Sequence, residues 1–133
     1  MKMLVLNSFG FKYGLPQDAN YVFDVRFIPN PFYVAELKAL SGMDEAVQKY
    51  IGSFEEAGSF LASAAAFLDF VIPRYFKTER DILHVAVGCT GGRHRSVALV
   101  EWLGEHYKKK SAGIGAGFVM ELRHRDIGME QEA

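Results

Sequence analysis

The sequence predicts an α/β fold: a single layered domain with a small mixed, largely parallel sheet flanked by helices. Three observations predict it. The chain has 133 residues, the length of one domain, expected over 1–133. Short, almost wholly apolar runs, as at Met3–Leu6 and Ile82–Val87, read as strands buried on both faces. Longer segments with apolar residues at helical spacing alternate with them.

The elements follow in order. Lys2 to Asn7 is the first strand, and Ser8 to Pro16, punctuated by Gly10 and Gly14, reads as a loop. Tyr21 to Ile28 alternates, with Val22, Asp24 and Arg26 on one face and Phe23, Val25 and Phe27 on the other. Pro29-Asn30-Pro31 ends it. Asp44 is placed to cap a helix over Glu45 to Phe54, whose stripe is Val47, Tyr50, Ile51 and Phe54. A longer helix near Ser59 to Phe76 carries Phe60, Ala64, Phe67, Leu68, Val71 and Tyr75, with Pro73 expected to kink it or start its last turn. Ile82 to Val87 is a central strand, apolar except for His84. His94 to Lys108 is a helix with Val97, Val100, Leu103 and Tyr107 on one stripe. Ser111 to Gly117 is Gly-rich and expected to be flexible, and Phe118 to Arg123 is a short last strand.

Half the residues are apolar and 23% are charged, which excludes wholesale disorder and fibrous chains. The one cysteine, Cys89, forms no disulfide within the chain and fits a reducing, cytoplasmic setting. No apolar run approaches the ~18 residues of a membrane span, because Asp69 and Pro73 interrupt the longest one. No membrane partner is therefore expected. The apolar start before Asn7 is too short for a signal peptide. A net charge of −1 argues against a strongly electrostatic nucleic-acid binder. It hides an asymmetry, however. Between 93 and 125 stand seven basic residues (Arg93, Arg95, Lys108, Lys109, Lys110, Arg123, Arg125) against Glu101, Glu105 and Glu121, a balance of +4. Either this is a solvated face or it converges on an anion site.

The most informative segment is Gly88 to Val97, between the apolar strand and an amphipathic helix. Ligands of open α/β sheets bind outside the carboxyl ends of strands. Gly91 and Gly92 permit a tight turn with inward amides, and a helix N-terminus adds partial positive charge. Arg93, His94 and Arg95 add donors, with hydroxyls from Thr90 and Ser96. Such a cluster at a helix start opposes the macrodipole unless an anion is present. The alternative is a plain strand-to-helix turn. The loop is neither a nucleotide P-loop nor a dinucleotide fingerprint, since Arg93 stands where the P-loop has its second glycine and the glycine spacing is wrong.

Cys89, Gly92, Arg95 and Ser96 do fit C-x-x-G-x-x-R-S, the signature of cysteine-dependent phosphatases. There a thiolate attacks phosphorus while amides and the arginine hold the oxygens. Gly88 replaces the histidine that precedes the cysteine in protein tyrosine phosphatases, and Asp24 or Asp126 would have to be the general acid. The alternative is a small apolar cysteine beneath the loop.

Ordered blocks carry a closer resemblance: Ser8 to Pro16, Asp18 to Pro31, Ser41-Gly42-Met43-Asp44, Gly88 to Val97, and His124-Arg125-Asp126. Over nearly its whole length the chain resembles the C-terminal domain of the RapZ family, the RNase adapter proteins. The resemblance implies an α/β regulatory domain that binds phosphorylated ligands, including an amino-sugar phosphate, and in some members small RNA. Full-length members carry an N-terminal P-loop domain. This sequence contains no G-x-x-x-x-G-K-S/T, so a stand-alone module is expected and ATP chemistry is not carried over. RNA-binding members end in a basic tail, whereas this chain ends Glu130-Gln131-Glu132-Ala133; Lys108, Lys109 and Lys110 are the substitute RNA contacts.

The expected ligand is therefore a phosphosugar or nucleotide-like anion. Its contacts are Lys12 on the first loop, Asp24, Arg26 and Asn30 at and beyond the end of the second strand, Thr90 through Ser96 on the loop after the third, and His124 and Arg125 after the last strand. Asp24 and Arg26 either serve the ligand or simply pair with each other. The scattered histidines make no metal pattern, and no cofactor is expected. A protein partner or self-association, with Phe32 and Tyr33 as exposed aromatics, completes the list of expected partners.

Overall fold

The computed structural model describes residues 1–112 and 117–129. Its elements are strands β1 (Lys2–Gly10), β2 (Tyr21–Asp24), β3 (Ile82–Cys89) and β4 (Phe118–His124), and helices α1 (Glu45–Gly52), α2 (Glu55–Tyr75) and α3 (Arg95–Ala112). Single 3-10 turns lie at Phe11–Tyr13 and Pro31–Tyr33. The strands form one sheet in the order β2-β3-β1-β4, and every pairing is parallel. The sheet is thus α/β as expected, without the antiparallel strand that a mixed sheet would have.

Strand order and handedness decide where the helices go. The steps β2 to β3 and β3 to β4 run in the same direction across the sheet, while β1 to β2 runs back. Parallel crossovers are right-handed. The connections holding α1, α2 and α3 therefore lie on one face, and residues 11–20 must cross the other. The core agrees. Leu4, Leu6, Leu83, Val85 and Val87 point to the helical face and join Val47, Ile51, Ala64, Leu68, Leu99 and Leu103 in one buried cluster. On the opposite face Val5, Asn7, Phe9, His84 and Ala86 are buried. The connection rejoins the sheet at the Asn20 amide, which donates to the His84 carbonyl at 2.8 Å, one step before the ladder of β2 with β3.

Several boundaries differ from the sequence expectation, each for a physical reason. Ser8-Phe9-Gly10 is not loop but the end of β1, paired with Val87, Gly88 and Cys89. β2 stops at Asp24, not Ile28. The Asp24 carboxylate accepts the Arg26 amide at 2.9 Å, an Asx turn that bends the chain out of the ladder. Asp44 does not cap α1 with its side chain. It turns back to accept the Ser41 amide at 2.8 Å. α2 starts at Glu55, with Glu56 also in its first turn, where carboxylates suit the helix dipole. Pro73 sits in the last turn of α2; having no N–H it cannot make the helical bond to the fourth residue before it, and the helix ends two residues later at Tyr75.

The buried stripe of α2 is Ala57, Ala64, Leu68 and Ile72. Phe60 and Phe67 meet the aromatic rings of β2 instead: Phe23–Phe60 centroids are 5.8 Å apart and Tyr21–Phe67 5.1 Å. Asp69 and Pro73 do not prevent α2 from being, by length and composition, long and apolar enough to cross a membrane. Here it packs on the sheet and on α1 and α3. The stripe Val97, Val100, Leu103 and Tyr107 on α3 is buried as expected. α3 continues to Ala112, and the rest of the expected Gly-rich segment, 113–116, lies outside the described residues.

Leu68 is fully buried at the centre of this core, and Gly58 on α2 has open space where a side chain would stand. Urea unfolding is expected to show Leu68→Ala destabilised by about 2–5 kcal/mol. Gly58→Ala is expected to be stabilised by up to about 1 kcal/mol.

Candidate functional site

All four strands point their carboxyl ends to one edge, and their following loops meet there. The loop after β3 lies against the end of β1, backbone on backbone. Gly92 adopts φ +76°, and a side chain there would come within 2.5 Å of the Gly10 nitrogen. A side chain on Gly10 would come within 2.5 Å of the Gly91 carbonyl carbon. Only glycine fits at these positions. Gly88 is equally constrained, since Phe9 and Phe11 pack over it. The Lys12 amide donates to the Thr90 carbonyl at 3.1 Å, which ties the first loop to the third.

Asp126 fastens the fourth. It is 5% exposed, accepts the Gly10 amide at 2.8 Å, and pairs with Arg125 at 2.8 Å. Arg125 in turn donates to the Gly14 carbonyl at 2.7 Å.

Arg95 opens α3 from inside the protein. It is 3% exposed. One guanidinium nitrogen donates to the carbonyls of Arg26 (3.0 Å) and Ile28 (2.8 Å), and another to the Thr90 hydroxyl at 3.3 Å. Its Nε is buried without a hydrogen-bond partner. Burial pulls its pKa below the ordinary arginine value, and the neighbouring Cys89 partly opposes this. It remains a cation at any physiological pH. It donates to carbonyls and a hydroxyl, the Cys89 thiol and the Asp24 carboxylate also act on it, and α3 has no acidic residue in its first turn. The Cys89 thiol is buried beside it, 3.1 Å from the Ser96 hydroxyl.

Asp24 and Arg26 pair with each other at the mouth, at 2.6 Å. The hydrogen bond from Arg26 holds the Asp24 carboxyl below the usual carboxylate range. The Arg26 guanidinium also lies over the Phe11 ring, 4.0 Å from its centroid. Lys12 and Thr90 are exposed on either side. The structure thus brings together Lys12, Asp24, Arg26, Thr90, Gly91, Gly92, Arg95 and Ser96.

Comparison with known proteins adds to this geometry. The RapZ C-terminal domain family matches residues 2–128. The chain belongs to the RapZ C-terminal domain family. It is similar to a nucleotide-binding protein of Thermoanaerobacter sp. (strain X514), 47% identical over 92% of this chain and 41% of the relative. It is also similar to a nucleotide-binding protein of Bacillus thuringiensis (strain Al Hakam), 45% identical over 90% of this chain and 39% of the relative. The chain therefore spans about 40% of the length of these relatives.

Other expected contacts of this RapZ-family domain are engaged elsewhere. Arg93 turns away from the loop to the carbonyls of Leu40 (2.9 Å) and Ala39 (2.6 Å). His94 holds the Leu37 carbonyl at 3.1 Å, and burial pushes its pKa down, so it is a neutral donor from Nε2. Both residues anchor the 37–42 segment. Asn30 accepts the Phe32 amide at 3.1 Å and starts a 3-10 turn. His124 bridges the Ser8 hydroxyl and the Glu101 carboxylate, both at 2.7 Å, joining β1, β4 and α3. Ser8 is fully buried, so this chain of groups is a tie and not an accessible triad.

Lys108 and Lys109 are exposed near the far end of α3. At 1.5 Å per residue this is roughly 20 Å from Arg95. The Lys110 side chain lies outside the described residues. The +4 segment therefore does not converge on one patch. Tyr33 is 73% exposed, while Phe32 is half-buried against it.

Sequence reasoning missed Asp126 as the tie of Gly10, and Asn7 with His84 beneath the first loop. The signal for His84 was present: it is a lone polar residue in an apolar strand.

Two outcomes are expected. Gly92→Ala is expected to cost at least about 2 kcal/mol in urea unfolding, from strain at positive φ and collision with Gly10. Burial also pushes His84 below its ordinary pKa, as it does His94. The unfolded chain binds protons near pH 6.5 that the folded protein refuses. Stability is then complete above about pH 6.5 and falls as the pH drops below it. Melting temperatures from pH 7.5 to 5 are expected to show this, with a shallower fall in His94→Gln.

Proposed function

We propose that this domain is a regulatory binding module that takes a phosphorylated small anion, such as a phosphosugar, at the Cys89–Ser96 loop. The observation that carries the reading is Arg95. A buried cation at the start of α3, hydrogen-bonded to neutral carbonyls and a hydroxyl, with the Asp24 carboxylate acting on it without a hydrogen bond between them, adjoins the helix N-terminus and gives the loop a positive potential that an anion neutralises. Exposed Lys12 and the Thr90 hydroxyl flank the loop, and the Asp24–Arg26 pair at the mouth offers both an acceptor for sugar hydroxyl or amine groups and a second cation. Ligand binding would couple the loops after β1, β2 and β3, which are tied by Lys12–Thr90 and by Arg95, and so alter the surface offered to a protein or RNA partner. The names of the relatives, nucleotide-binding proteins, are consistent with a phosphate-bearing ligand.

Calorimetry with glucosamine 6-phosphate and with inorganic phosphate tests this. Binding is expected, weakened about tenfold in Lys12→Ala and in Thr90→Val, which leave Arg95 in place. No binding of either compound rejects the reading.

One observation favours a second reading. Cys89, Arg95 and Ser96, three residues of the cysteine-dependent phosphatase pattern C-x-x-G-x-x-R-S, lie together beneath the loop, with the thiol 3.1 Å from the Ser96 hydroxyl. On that reading the wild type hydrolyses p-nitrophenyl phosphate and Cys89→Ser does not. Equal turnover in the two proteins removes Cys89 as the nucleophile.

A further inference from the structure

The loop-covered face of the sheet holds a second cleft, apart from the Cys89–Ser96 loop. Its volume is about 580 Å³. Asn7 and His84 form its floor, residues 15–18 one wall, and the end of β4 the other, with Arg123 and Arg125 at the rim. Phe9 and Phe11, packed over Gly88, stand between it and the third loop.

The floor is polar where the fold would favour apolar residues. Asn7 and His84 lie on the two central strands and are each 4% exposed. The Asn7 amide nitrogen meets His84 Nε2 at 3.2 Å. An amide nitrogen only donates, so Nε2 accepts and the ring proton sits on Nδ1. Nδ1 faces the Asp18 carboxylate at 3.3 Å. That contact falls short of hydrogen-bond geometry, so Nδ1 and Asn7 Oδ1 are both buried without a hydrogen-bond partner. An unfilled acceptor in such a place costs about 1–3 kcal/mol, a cost that a ligand donor would remove.

The rim adds charge. Arg123 is exposed and holds Glu121 through one nitrogen at 3.0 Å, while a guanidinium carries five donors. Arg125 is fixed by Asp126 and the Gly14 carbonyl. A cation would meet these guanidiniums. An apolar ligand would leave Asn7 Oδ1 unfilled, and a simple anion would reach the rim but not the floor.

We infer that this cleft binds a small hydroxylated anion, a hydroxy acid or a hydroxylated phosphate ester. Its hydroxyl donates to Asn7 Oδ1 and its anionic group rests on Arg123. The buried His84 Nδ1–H is a second unfilled group, so the floor suits a group that both donates and accepts, as a hydroxyl does.

The test is NMR titration of the whole chain, following the Asn7 side-chain amide and the His84 ring. The probes are malate and glycerol 3-phosphate, with succinate and inorganic phosphate as counterparts lacking the hydroxyl. At least one hydroxylated anion is expected to shift both reporters, and its counterpart to bind about tenfold more weakly. Whichever arm responds separates carboxylate from phosphate ester. Arg123→Gln, a surface change, is expected to weaken binding about tenfold. Lys12→Ala is expected to leave it unchanged. The inference is overturned if neither hydroxylated anion moves the Asn7 amide at about 10 mM, a concentration that detects millimolar affinity. It is also overturned if the counterparts bind equally well or Arg123→Gln has no effect. Shifts confined to residues 89–96 overturn it while leaving the loop reading intact; an Asn7 response without any loop response does the reverse.

Discussion

Backbone lies directly on backbone where Gly91 and Gly92 cross the end of the first strand, and the arrangement of the site depends on that contact. Side chains at Gly10 or Gly92 would collide with the opposite main chain. Because they are absent, β1 and β3 stay paired to their last residues, Gly10 and Cys89. The Gly10 amide, at the end of that ladder, is then taken by buried Asp126, which locks the loop after β4 to the same point. Arg95 can enter the interior beneath the loop only because the turn at Gly92 delivers it there, and from inside it holds the carbonyls of the loop after β2. One close approach thus fixes the mutual positions of the four loops at the carboxyl edge.

The second governing constraint is handedness. Two crossovers run one way across the sheet and one runs back, so all three helices cover one face. The other face is left to residues 11–20, too short a stretch to build a helical layer. A sheet face covered by a loop stays near water, which explains how it tolerates Asn7, His84 and the nearby charges of Asp18, Glu121 and Arg123. The helical face is apolar at its centre, with Leu4, Leu6, Val85 and Leu68, and polar at its carboxyl edge, where Ser8 is tied to His124 and Glu101.

Much of the fold was legible because apolar periodicity reports burial directly. The stripe of α3, most of that of α1, and β3, apolar but for His84, needed no tertiary information. The misread boundaries share one cause: a polar or small residue has a local meaning and a tertiary one. Ser8 and Gly10 resemble loop residues, yet Ser8 is buried against His124 and Gly10 is small because Gly91 presses on it. Asp24 looks like a strand residue and instead turns the chain by accepting the Arg26 amide. Asp44 looks like a helix cap and binds Ser41. At the site, Gly88 to Ser96 stood out from composition alone. Spacing did not distinguish Arg93 and His94, which leave the loop for the carbonyls of residues 37–40, from Arg95, which stays beneath it.

By itself the sequence determined that this is a one-core α/β domain with a glycine-rich, arginine-bearing loop after one of its central strands. Those properties depend on burial patterns and on residue types close together in the chain. Only the tertiary structure decided which cations serve the loop, why the +4 segment spreads over opposite ends of the molecule, and that a polar cleft lies on the loop-covered face. Each of these rests on contacts between residues far apart in sequence. Their partners are set by strand order, register and crossover hand, none of which any single segment encodes.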